Sequence, residues 1–366
     1  MKMLFSNFLF VEKSPPDYHF CRGIRLRRAG LGLLFFSFFL LLPQGCSAEK
    51  EVVVSGRTMG TTYHIKVVTG YFERTSGLQG KIDARLKAIN QSMSTYIRDS
   101  EISRFNRATD TSRSFYVGDD FFHVFKTARL LYTLTGGAWD GTIKPLVDLW
   151  GFGSRKPGDS LPSAAIVNST LKAVGFHHIH VSDKGAIHKE LASITLDFAS
   201  IAKGYAVDQI TRLLKEGGMD DFIVEIGGEV YAAGVRQDGQ KWRIGVNLPD
   251  KDASLQDLYS VVQLSNLAMA TSGDYRNFIE RDGIVYSHII DPRTGYPVHN
   301  NIASVTIIAP DCTMADGLAT SVVVMGREKG KALIEQLPDV EGLIIVRGSD
   351  GTFSDVPSSG FVALSE

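Results

Sequence analysis

Between Ile194 and Gly218 the hydrophobic period of the chain changes within a few residues. Ile194, Leu196 and Phe198 alternate with Thr195 and Asp197, the two-residue period of a half-buried strand. Ile201, Tyr205, Ile210, Leu213 and Leu214 then fall on one helical face, and Gly217-Gly218 supplies the stop. The stretch TLDFASIAKGYAVD, residues 195–208, predicts a strand that runs directly into a helix with Ser200 as its N-cap. Free N–H groups at such a junction form an anion site. Lys203, placed in the first turn, is disfavoured by the helix dipole unless an anion such as a phosphate sits in front of it. Asp197 brings a carboxylate to the same junction. A surface lysine and a capping aspartate would account for the same two residues.

The flanking sequence sets the fold class. Strands are predicted at 52–56 and 61–68, and an amphipathic helix through Leu78, Ile82, Leu86, Ile89 and Met93. A short helix SEISRFN follows, then a helix along Phe122, Phe125, Arg129 and Tyr132 that ends at Gly136-Gly137. A further helix is predicted over 162–174, with short strands at 177–181 and 186–188. Beyond the central helix the chain turns β-rich, with strands at 222–226, 230–234, 242–246, 259–264, 267–271, 284–290 and 303–308. Helices over 313–325 and through Leu333, and strands at 343–346 and 361–364, complete the pattern. Strands and helices do not alternate regularly, so the class is α+β, one compact domain over residues 52–366.

Residues 1–45 stand apart. They carry a net +4, which leaves the rest at −5 against a chain total of −1. A mildly acidic body argues against nucleic acid as a partner. The apolar run 29–42 is shorter than the roughly 20 residues of a transmembrane helix and suits the core of a secretory signal. The box that follows, Pro43-Gln44-Gly45-Cys46, resembles a bacterial lipoprotein cleavage site, with Cys46 as the lipidated residue and 46–51 as a tether. A plain signal peptide or an uncleaved anchor would equally place the body outside the cytoplasm. Of the three cysteines only Cys312 lies in the body, so no disulfide framework and no zinc spacing exists there.

Several stretches carry chemistry. AWDGTIKPLVDLWGFG, residues 138–153, has no clear period and reads as a packed loop wall or as the wall of an aromatic ligand site. His177, His178 and His180 could be taken for metal ligands, since a strand puts His178 and His180 on one face, but no third ligand is suggested and an ordinary solvated strand is the favoured reading. Asp316 and Thr320 are four apart on a predicted helix and share a face. They form a hard-oxygen pair suited to Mg2+, or a capping aspartate and a threonine bonded to its own helix. His288, in SHIIDPRTGYP, ends a predicted strand beside a tight turn, a place for a firmly held catalytic group or for a structural histidine.

Together these motifs resemble one family, the ApbE family of FAD:protein FMN transferases. The resemblance runs from Met59 to the C-terminal strands. It is carried by MGTTY (59–63), STY (94–96), the 136–153 segment, LDFASIAKGYAVD (196–208), VEIGGEV (224–230), ATSGDYRNF (270–278), SHIIDPRTGYP (287–297) and TIIAPDCTMADGLAT ending at Thr320. It implies a lipid-anchored, periplasmic, Mg2+-dependent enzyme. Such an enzyme cleaves FAD, attaches FMN through a phosphoester to a threonine or serine of an acceptor protein, and releases AMP. Acceptors of that kind are subunits of sodium-pumping or electron-transporting membrane redox complexes. By position the resemblance implies FAD contacts at Met59, Tyr96, Ala138, Trp139, Asp140, Asp197, Lys203 and His288. It implies metal ligands at the Ser200 carbonyl, Asp316 and Thr320, and His288 as the base, with Lys203 and Asp316 acting on the phosphates. Trp139 stands where many relatives carry Phe, and Ser200 where many carry Gly or Ala. Two other functions are compatible with the same residues: a pyrophosphatase that splits FAD into FMN and AMP, and a non-catalytic FAD-binding lipoprotein.

Overall fold

The computed structural model describes residues 49–70, 75–153, 161–182, 186–254, 256–273, 278–281 and 284–365. The expected signal segment, Cys46 and residues 274–277 of the ATSGDYRNF motif lie outside the described residues.

The chain opens with the hairpin β1 (Glu49–Thr58) and β2 (Thr61–Gly70), followed by helices α1 (Leu78–Met93), α2 (Glu101–Arg107), α3 (Asp119–Leu134), α4 (Lys144–Trp150) and α5 (Ala164–Leu171). The short strands β3 (Ile179–Val181) and β4 (Ile187–Lys189) precede α6 (Ala199–Glu216). Then come β5 (Asp221–Ile226), β6 (Glu229–Ala233), β7 (Trp242–Asn247), β8 (Leu258–Leu264), β9 (Leu267–Gly273), β10 (Phe278–Arg281), β11 (Ile284–Ser287) and β12 (Ile302–Ala309). The chain closes with α7 (Cys312–Met325), α8 (Arg327–Gln336), β13 (Glu341–Arg347) and β14 (Phe353–Pro357).

The central layer is an eight-stranded sheet, β1-β2-β5-β6-β9-β12-β13-β14, in which every neighbouring pair is antiparallel. This is the expected α+β arrangement. The sheet is buried on both faces. Phe222, Val224 and Ile226 of β5 join the larger core with α1, α3, α6 and α7, while Ile223 joins a smaller core under the β7–β8 ribbon. Two-sided burial is why every residue of β12 is buried, Ser304 and Thr306 included.

The position of α7 decides the site. It is buried almost all round, including Asp316, and it crosses α6 at Gly204. A Cβ on Gly204 would lie 2.3 Å from the carbonyl oxygen of Cys312 and 2.9 Å from Cα of Thr313, so only glycine lets the two helices meet there. Asp208 of α6 locks the crossing by accepting from the N–H groups of Cys312 (2.8 Å) and Thr313 (2.9 Å), two donors that a helix start leaves without a helical partner.

Several expectations need correction. Residues 194–198 alternate in burial, but they join no sheet. Asn106 stands in for a neighbouring strand: its Nδ2 donates to the Leu196 carbonyl (2.8 Å) and its Oδ1 accepts from the Leu196 N–H (2.7 Å). The N-cap of α6 is Phe198, and Ser200 is already helical. Lys203 therefore falls in the second turn. β1 begins at Glu49, so Glu49–Glu51 belong to the sheet and not to a tether. The buried face of α3 is Phe121, Val124, Phe125, Ala128 and Leu131, offset from the predicted face. The 138–153 segment contains α4, and the 177–181 strand begins as a 3-10 turn, Phe176–His178. The strand expected to end at Ile290 stops at Ser287. Residues 361–363 form a 3-10 turn, and the last strand is β14 instead.

Candidate active site

The α6 junction opens into a cleft of about 440 Å³, within the usual size of a ligand pocket. Asp197, Ser200 and Lys203 line it from α6, Asp316 and Thr320 from α7, His288 from the segment after β11, and Tyr96 from the loop after α1. Seven residues singled out in the sequence, drawn from four separate segments, thus meet in one place. Phe152 contributes an aromatic edge beside His288, with ring centroids 6.4 Å apart.

Met59, Ala138, Trp139 and Asp140 are not among the lining residues. Trp139 is 3% exposed and lies behind the wall, where its Nε1 donates to Ser200 Oγ at 3.0 Å. The Asp140 carboxylate is a buried pin. It accepts from the Thr142 N–H (2.8 Å), the Thr142 hydroxyl (2.6 Å) and the Phe176 N–H (3.0 Å), and burial raises its pKa. Ala138 is buried, and Met59 occupies the left-handed turn between β1 and β2 with φ 49°. Trp139 thus supports the lining from behind, through Ser200.

Asp197 combines both readings given to it. Its carboxylate accepts from the Ala199 N–H at 2.8 Å, capping α6, and it also faces the cleft. Asp316 is not a cap. That role belongs to Asp311, which accepts from the Met314 N–H at 2.9 Å. Asp316 is 3% exposed, and its Oδ2 accepts from the Gly204 N–H at 3.1 Å. In a regular helix that N–H serves the Ser200 carbonyl, so the arrangement places the Asp316 carboxylate next to the Ser200 carbonyl. The Thr320 hydroxyl pairs across to Ser272 of β9 at 3.0 Å.

Charge is concentrated on Lys203. Its Nζ lies 2.9 Å from Oε1 of Glu229 and 3.6 Å from Oδ2 of Asp316. Burial alone works against the charge on Lys203, but the two carboxylates outweigh it and hold its pKa above the ordinary lysine value. Burial also pushes Asp316 and Glu229 upward, with the Lys203 ammonium opposing in both. The other carboxylate oxygen of Glu229, Oε2, is buried without a hydrogen-bond partner.

Neither Glu229 nor Ser272 stands out in the sequence as a site residue. Glu229 sits inside the VEIGGEV motif, and an acidic residue that opens an apolar strand was the available signal. Ser272 carried none. The three histidines at 177–180 lie elsewhere, and His178 and His180 share Glu190 at 2.7 Å each.

The sequence model of the ApbE family matches residues 59–344. An FAD:protein FMN transferase of Vibrio cholerae is 42% identical over 327 residues, covering 88% of this chain and 95% of that protein. The enzyme of the same name from Haemophilus influenzae is 37% identical, covering 88% and 94%. Among solved structures, the flavin transferase ApbE of Vibrio cholerae superposes with a TM-score of 0.79 at 39% identity, covering 87% of this chain and 100% of that one. The apo form of the Pseudomonas stutzeri flavinyl transferase ApbE gives 0.77 at 36%, covering 86% and 97%.

Proposed function

The chain belongs to the ApbE family, and from that membership and the geometry of the cleft we propose the following reaction. The protein is an FAD:protein FMN transferase. It moves the FMN half of FAD to a threonine or serine hydroxyl of an acceptor protein, with Mg2+ as the required ion and AMP as the leaving group. The observation that carries the reading is the meeting of Lys203, Asp316, Thr320 and His288 in one cleft.

The donor set suits a hard cation. Among the described residues no group of three or more His, Cys, Asp or Glu could hold a metal, so an all-carboxylate or thiolate site is not at issue. One buried carboxylate (Asp316), one hydroxyl (Thr320) and one carbonyl (Ser200) are the partial oxygen shell that Mg2+ accepts while it keeps water and phosphate oxygens. When bound, Mg2+ polarises the pyrophosphate and offsets the charge on the leaving phosphate.

The protein's own groups do the rest. Lys203 and the α6 N-terminus hold the phosphates by fixed positive potential. His288 takes the proton from the acceptor hydroxyl. The hydroxyl oxygen bonds to the FMN-side phosphorus, the bond from that phosphorus to the bridging oxygen breaks, and AMP leaves with that oxygen. The signal-like segment and Cys46 support export and lipid anchoring at the periplasmic side. The acceptors are then subunits of membrane redox complexes.

The test is to incubate the purified protein with FAD, Mg2+ and candidate acceptor subunits. In-gel flavin fluorescence on an acceptor with matching AMP release is expected. FMN and AMP without labelled protein would mark a pyrophosphatase, and intact FAD would contradict both.

A further inference from the structure

Building on the ion site just proposed, we infer that Glu229 is a positioning residue that holds the Lys203 ammonium away from Asp316, keeping Asp316 open to a divalent cation. Lys203 is shared unequally. It makes a hydrogen-bonded ion pair with Glu229 at 2.9 Å and a longer ion pair with Asp316 at 3.6 Å, outside ordinary hydrogen-bond length. The Lys203 stem is flexible, so a bias toward Glu229 comes from its surroundings.

The local backbone supplies that bias. Gly227 and Gly228 form the two-residue turn between β5 and β6, with φ +61° and +105°, the left-handed pair that a tight hairpin needs. The turn is fixed from below. Glu225, fully buried, accepts from the Gly228 N–H at 2.8 Å and is paired to His64 at 2.8 Å. A Cβ on Gly227 would lie 3.2 Å from Cδ of Lys203, so the lysine stem runs across the bare glycine backbone. Glu229 is the first residue past this turn and meets the ammonium where the stem ends. Its second oxygen is buried and unpartnered, so its hydrogen bonding is directed to Lys203.

The consequence concerns Asp316. With the glutamate neutralised or shortened, Lys203 has one remaining carboxylate within reach and closes onto it. A cation must then displace the lysine before it binds.

The test is a double-mutant cycle read as Mg2+ affinity by calorimetry on the full chain without flavin. Its variants are E229Q, K203M and the pair, and thermal melts confirm folding. A through-space charge effect of Glu229 would weaken Mg2+ equally in both lysine backgrounds. The expected result is non-additive: E229Q weakens Mg2+ roughly tenfold more when Lys203 is present than in the K203M background, a coupling typical of contacting residues. E229D provides a second arm that retains the charge but loses the reach, and it should weaken Mg2+ as E229Q does. Equal effects of E229Q in the two backgrounds, or wild-type affinity in E229D, would overturn the inference and leave the ion site standing. Wild-type protein that binds no Mg2+ would instead overturn the ion site, and the inference with it.

Discussion

Gly204 on α6 donates its N–H to Oδ2 of Asp316 on α7 at 3.1 Å, and the same glycine has no room for a side chain against Cys312. One residue therefore sets both the distance between the helices and the orientation of the buried carboxylate. Gly204→Ala should force α7 outward. Overpacking of this kind costs about 1–3 kcal/mol, and here the obstructing atoms are backbone. A lowered melting temperature and weaker Mg2+ binding are expected together. Unchanged values for both would show that the crossing tolerates a methyl group.

His288 lines the cleft beside Phe152 at the end of the β11 segment. His288→Asn should retain FAD binding and slow transfer by roughly 10²–10⁴, the usual contribution of a general base. Flavin fluorescence quenching measures the binding, and single-turnover flavinylation measures the rate. A near wild-type rate at neutral pH would remove His288 from proton transfer.

The His64–Glu225 pair predicts a pH signature. The hydrogen bond that His64 donates to the Glu225 carboxylate raises the His64 pKa, against the opposing effect of burial. A raised folded-state pKa adds stability that is complete below the unfolded value, about 6.5, and is lost as pH rises through the folded value. The melting temperature of the wild type should exceed that of His64→Gln by most near pH 6, with the gap narrowing toward pH 9. A constant gap would mean that the pair is not charge-assisted.

Cys46→Ala tests the proposed anchor. The variant should move to the soluble fraction with transfer activity intact, since the domain begins at β1. Full retention on membranes would place the anchor elsewhere.

Much of this site was legible because chemistry and period coincide. The Asp316–Thr320 spacing is helical on its face, and the change of period at Phe198 marks the α6 start to within two residues. What could not be read depends on partners distant in sequence. The strand-like alternation of 194–198 is real, but whether a ladder or the side chain of Asn106 completes its backbone is set by the fold. Asp140 and Trp139 share a motif with cleft-facing neighbours, yet the close packing of that loop turns them inward. Glu229 gains its meaning only when the β5–β6 turn meets the stem of Lys203.

The most direct measurement of the central claim is AMP release and acceptor flavinylation by Asp316→Ala across a Mg2+ titration, with flavin quenching as the binding control. Asp316 is the one charged side chain in the proposed ion shell. Loss of such an electrostatic stabiliser costs about 10²–10³ in rate. The account predicts a folded protein that still binds some FAD around Tyr96 and Phe152, is nearly inactive at low Mg2+, and is rescued only in part by more of it. Wild-type turnover at low Mg2+ in this variant would contradict the assignment of the cleft as the site of flavin transfer.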